Sequence, residues 1–199
     1  MCTFARMNKD KWSENMILVD ADYADKVAFD LTVNFERMIG RQIPPADMAR
    51  WIDCVALDGG LRNGGHETQV VLIHDKEATA MKNFTPGDYD GQLNGVAFRD
   101  QLGEFVLSAY PVEPMTTKAD FMTDVLQTIC QQKEVRRLMI VPDEHIYNNV
   151  REVLNRSDDD ERRVTVFTMQ PTAGGGQFRQ ELLGYSLMAA LGIRADEIK

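Results

Sequence analysis

Four apolar residues in unbroken succession, Met16-Ile17-Leu18-Val19, run directly into an acidic turn, Asp20-Ala21-Asp22. A half-buried strand alternates apolar and polar residues, so a run without alternation describes a strand covered on both faces. Covering both faces takes helices on either side, which makes the parallel sheet of an α/β domain the expected framework. In open sheets of this kind, ligands bind in the crevice outside the carboxyl ends of the strands. Asp20 and Asp22 therefore stand where a site is expected.

The rest of the chain repeats the pattern. Val27, Leu31, Phe35 and Met38 recur at three- and four-residue spacing and predict a helix that stops at Gly40. Pro44-Pro45 is expected to open a second helix, with Met48, Trp51, Ile52, Val55 and Ala56 inward. Residues 69–74 form a second buried strand, again followed by an acid, Asp75. Residues 93–99 and 104–110 read as a hairpin through Asp100-Gln101-Leu102-Gly103. A helix over 117–131, a third buried strand over 138–141, a helix over 143–155 and a last strand over 164–168 follow. The segment from about 177 to 191 reads as an apolar final helix. Strands alternating with helices give parallel βαβ units. The expected architecture is one α/β domain over residues 16–199, after an irregular arm at 1–15. It is a three-layer sandwich with a mainly parallel sheet of about five strands and a β-hairpin insertion.

Charge and cysteine usage narrow the function classes. A formal net charge of −9 repels phosphate backbones, so nucleic-acid binding would need a local basic patch or bridging metal ions. Cys2, Cys54 and Cys130 are odd in number and widely spaced, which is neither a disulfide framework nor a zinc pattern and fits a reducing cytoplasm. No apolar run approaches the roughly 20 residues that cross a bilayer, and the first dozen residues hold no apolar signal core. The expected location is cytoplasmic, with no membrane association.

Three acidic spots carry the candidate chemistry. Asp20 and Asp22 follow the first strand, Asp143 and Glu144 follow the third, and Asp120 and Asp124 lie at i, i+4 on the helix between. Carboxylates gathered at neighbouring strand ends would suit Mg²⁺ or Mn²⁺, and such an ion activates water for attack on a phosphodiester. Each acid also has a plain structural role open to it: Asp143 as a helix N-cap, Asp120 in a first turn where the dipole favours an anion, and Asp22 or Asp25 as a cap of the first helix. Thr172-Ala173-Gly174-Gly175-Gly176 could cradle phosphate, with Arg179 beside it, but the spacing is not that of a P-loop. Of the three histidines only His145, near Asp143, is placed for acid–base work.

The order Ile-Leu-Val-Asp-Ala-Asp (17–22), Thr-Lys-Ala-Asp-Phe-Met-Thr-Asp-Val-Leu (117–126) and Leu-Met-Ile-Val-Pro-Asp-Glu (138–144) resembles the NYN and PIN-like nuclease superfamily. The match covers about half the chain. The resemblance implies a parallel sheet with the first strand central, an acidic pocket that binds a divalent metal, and RNA cleavage. It implies Asp20, Asp120 and Asp143 as metal ligands, with Asp22 and Asp124 in support. Two departures set this chain apart. Tyr23 replaces the asparagine usual after the first acidic pair, and Pro142-Asp143-Glu144-His145 replaces a Ser-Gly-Asp-Ser-Asp-like turn. The expectation is a divalent-metal-dependent ribonuclease, or a degenerate descendant with altered catalytic residues that binds a nucleotide or RNA without cutting it. The alternative expectation is a non-catalytic interaction protein that forms homo-oligomers through the 93–110 hairpin.

Overall fold

Every residue of the run ending at Asp20 is buried, and the strand it forms has parallel neighbours on both edges. The computed structural model describes residues 11–157, 159, 161–173 and 176–198. In chain order the elements are β1 (Asn15–Asp20), α1 (Ala21–Ile39), β2 (Ala46–Asp47), α2 (Met48–Asp58), β3 (His66–His74), β4 (Phe84–Thr85), β5 (Ala97–Asp100), β6 (Gly103–Pro111), α3 (Lys118–Cys130), β7 (Arg137–Val141), α4 (Tyr147–Asn155), β8 (Arg163–Thr168), β9 (Arg179–Leu182) and α5 (Leu183–Ala190).

Seven strands form the main sheet in the order β5-β6-β3-β1-β7-β8-β9. All neighbours are parallel except the β5–β6 pair. From β1 the chain steps outward through β3 to β6. It then crosses back over α3 to β7, on the other side of β1, and steps outward through β8 to β9. The direction of winding reverses between β1 and β7, which opens a crevice at their carboxyl ends.

Alternate residues of β1 enter opposite cores. Ile17 and Val19 pack with Val27 of α1, Trp51 and Val55 of α2, and Leu187 of α5. Met16 and Leu18 pack with Phe121 and Val125 of α3 and Val150 of α4. The sheet is thus the middle of three layers, and the period-2 geometry of a strand distributes one apolar run between both faces.

The sheet departs from expectation in three places. It has seven strands rather than about five. The 93–110 hairpin is not an insertion, because β6 continues the sheet in nine-residue parallel register with β3 and β5 alone forms the antiparallel edge. The segment from 177 to 191 is not one helix: Arg179–Leu182 is a strand against β8, and only Leu183–Ala190 is helical. Arg-Gln-Glu-Leu carries no strand periodicity, so its conformation is decided by the free edge of β8. Pro44-Pro45 precede β2, and the second helix begins at its N-cap Asp47, whose side chain accepts from the Arg50 N–H. The first helix does end at Gly40, which takes φ 70°. Residues 1–10 and Gly174-Gly175 lie outside the described residues. Of the arm, Lys11 and Ser13 are tied to Glu67 of β3, and Asn15 already belongs to β1.

Candidate functional site

Asp20 is both the last residue of β1 and the N-cap of α1. Its Oδ1 accepts from the Tyr23 N–H at 3.1 Å, while its Oδ2 is buried with no hydrogen-bond partner. With the residue 1% exposed, loss of hydration outweighs the attraction of Lys118 and the Tyr23 N–H. It pushes the carboxyl up to about 6, with Asp22 adding to the rise.

Lys118 closes the site from the opposite core. It lies in the first turn of α3, after the N-cap Thr117, and its Nζ reaches Asp22 Oδ2 at 2.5 Å, Asp75 Oδ1 at 2.9 Å and Asp20 Oδ1 at 3.4 Å. Burial pulls this ammonium down, but the three carboxylates outweigh burial and hold it above its ordinary value. Asp22 also accepts from the Asp75 backbone N–H at 2.6 Å, which joins the ends of β1 and β3. The three acids carry −3 against one +1, so the cluster keeps a strong negative potential.

Tyr23 faces β7. Its hydroxyl donates to Glu144 Oε1 at 3.2 Å. Burial, then Glu144, Asp143 and Asp20, raise its pKa above the usual phenol value. Beside it is a pocket of about 290 Å³ whose lining includes Tyr23, Lys26, Asp30, Asn34, Glu144 and Met169. Across the cluster, His74 stacks on Tyr89 with ring centroids 3.8 Å apart, and the buried Tyr89 hydroxyl has no hydrogen-bond partner.

The acids singled out in the sequence part company here. Asp20 and Asp22 belong to the Lys118 cluster. Asp120 is exposed and exchanges hydrogen bonds with Thr117, closing the start of α3. Asp124 is exposed one turn further on. Asp143 accepts from the His145 N–H within its own turn, at 2.8 Å, and His145 is exposed. Among the described residues no group of three or more His, Cys, Asp or Glu side chains is arranged to hold a metal ion. The donor set implied by resemblance, Asp20, Asp120, Asp143, Asp22 and Asp124, is therefore not brought together, and no step through Mg²⁺ or Mn²⁺ is derived from this arrangement.

Two members of the cluster went unrecognised in the sequence. Asp75 repeats the pattern of an acid after a buried strand, so its signal was present. Lys118 also left one: a cation in a helix's first turn opposes the helix dipole, which calls for a carboxylate partner nearby. Of the large hydrophobics exposed among the described residues (Phe29, Met38, Leu57, Val96, Met115 and Tyr185), only Val96 falls within 93–110. No helix among them is long and apolar enough to cross a membrane.

Fold and site together define a doubly wound α/β domain with a lysine-bridged acidic cluster at the ends of β1 and β3, beside its switch point. Residues 9–198 match the model of a family described as a family of unknown function (DUF6621), and the chain belongs to that family. No curated protein and no solved structure matches it.

Proposed function

We propose that this chain is a degenerate PIN/NYN-like domain that binds a nucleotide or RNA segment in the β1–β7 crevice without a divalent metal and without cleavage. The observation that carries the reading is Lys118 Nζ among Asp20, Asp22 and Asp75, where the resemblance puts a cation. A tethered ammonium offsets carboxylate repulsion as a metal does. It has no open coordination position from which to bind and acidify water.

Several features support the reading. A central β1, with the switch point beside it, is the strand placement the resemblance implies. The β1–α1 turn, Asp20-Ala21-Asp22-Tyr23, holds no glycine, so it lacks the backbone cradle with which dinucleotide-binding sheets hold pyrophosphate. The pocket beside Tyr23 is at the small end of small-molecule sites and combines an aromatic ring with hydrogen-bonding groups. Phosphates are repelled by the adjacent acids, so the groups recognised there are hydroxyl and amino donors of the nucleoside.

Mn²⁺ titration followed by thermal unfolding tests the role of Lys118, since a ligand that binds only the folded state raises its midpoint. The native chain is expected to show no rise at millimolar Mn²⁺ and no cleavage of single-stranded RNA. Lys118→Ala is expected to gain a Mn²⁺-dependent rise that Lys118→Ala/Asp20→Asn loses. Mn²⁺-dependent RNA cleavage by the native chain, abolished in Asp20→Asn, would overturn the reading.

A further inference from the structure

The amino-terminal end of the sheet has the reverse electrostatic character. Arg137 and Arg163 open β7 and β8 and are register partners, and Arg179 opens β9 one strand further. Together with Arg62 and Arg162 they line a pocket of about 550 Å³ that also holds Phe178 and, among the described residues, has no acidic residue in its lining. In a chain with 31 acids and 22 bases, five arginines around one cavity are not the average surface.

Two of the five are neutralised. Arg162 is buried, donates to the carbonyls of Val135, Cys130 and Gln132, and pairs with Asp159. Arg179 pairs with Glu181. The other three have no carboxylate within ion-pair distance among the described residues. Arg137 donates to Asn15 Oδ1 and the Gly59 carbonyl, and Arg62 donates to the Leu57 and Leu61 carbonyls. These bonds orient the guanidinium groups without cancelling their charge. Gly60, at φ +88°, lets Arg137 lie across the α2–β3 turn, where a Cβ would come within 2.8 Å of its Nη1. Burial, Arg163 and Arg62 all work against the charged form of Arg137, with only Glu14 favouring it. Gathering like charges costs folding free energy that a bound anion relieves.

We propose that this pocket is a binding site for a small molecule bearing a chain of phosphates, a nucleoside triphosphate or an inorganic oligophosphate, held by Arg62, Arg137 and Arg163. Guanidinium forks bind phosphate oxygens in bidentate fashion, and three unneutralised arginines offset most of the charge of a triphosphate. Phe178, half-buried in the same lining, offers a face on which a nucleobase stacks. The site stands apart from the β1–β7 crevice and does not depend on how that crevice is read.

Isothermal titration with sodium tripolyphosphate, adenosine triphosphate without magnesium, and a 12-nucleotide oligouridylate tests the proposal at low and high salt. Arg62 and Arg163 are exposed, so Arg62→Gln/Arg163→Gln leaves the core intact, and Arg99→Gln on β5 serves as control. Tripolyphosphate is expected to bind, to weaken at high salt, and to lose at least tenfold in affinity in the double variant but not in the control. Tighter binding of the nucleotide, lost in Phe178→Leu, assigns the site to nucleotides; equal binding of both assigns it to inorganic oligophosphate. No binding of either small probe at low salt overturns the proposal, as does binding unchanged in the double variant. Tighter binding of the oligouridylate than of both small probes also overturns it, making this end of the sheet a nucleic-acid surface.

Discussion

Asp20→Asn is expected to stabilise the protein above pH 6 and to leave it unchanged near pH 4. The asparagine keeps the acceptor that caps α1, since Asn serves that position as well as Asp, and it removes a buried charge whose Oδ2 has no partner. The carboxyl rises from its ordinary 3.8 to about 6, chiefly through burial. The folded protein therefore binds more protons than the unfolded chain between about pH 4 and pH 6, and the contribution of Asp20 to stability falls as pH rises through that window. At about 1.36 kcal/mol per pH unit the loss totals about 3 kcal/mol, which is about 6–12 °C in midpoint for a domain of this size. Urea unfolding of both proteins from pH 4.5 to 7.5 measures it. Carboxylates that titrate alike in the two proteins cancel in the difference. The stability of Asp20→Asn relative to native should climb with pH and level off above 6. A flat difference would refute the argument. A difference of opposite sign would mean that Lys118 holds Asp20 ionised and that the ion pair, not burial, governs the site.

Two further substitutions test the frame around the sites. Gly103→Ala, at φ +127° with a new Cβ 2.1 Å from the His66 carbonyl oxygen, is expected to cost on the order of 3 kcal/mol and to loosen the β3–β6 pairing, read by urea unfolding and by hydrogen exchange along β6. Arg162→Leu leaves three backbone carbonyls and Asp159 without their buried donor. It should cost about 3 kcal/mol or more, and a loss below about 1 kcal/mol in chemical denaturation would show that water replaces the guanidinium freely.

The sequence by itself determined the framework, because burial on two faces leaves a mark in one dimension. Met16–Val19 has no polar alternation, so it needed cover on both sides, and the helices that supply the cover carry their own 3.6-residue stripes. Gly40 ended the first helix for a local reason as well, the left-handed conformation that glycine adopts cheaply. The strand Arg179–Leu182 was not legible, because nothing local marks it and the hydrogen-bonding edge of β8 selects it. The hairpin was legible as a pair of strands but not as part of the main sheet, since its nine-residue parallel register with β3 joins segments about 40 residues apart.

The candidate sites divide in the same way. Asp20 and Asp22 could be placed at a strand end from the sequence, as could Asp75, by the same pattern. That Lys118 bridges all three, while Asp120 turns to Thr117 and Asp143 to its own loop, was settled by the crossover of α3 and the direction in which each side chain leaves its backbone. The five arginines lie between positions 62 and 179, and no spacing rule connects them. The sheet sets its strands side by side, so the residues that begin β7, β8 and β9 become neighbours in space, and charge scattered along an acidic chain is concentrated into one cationic pocket.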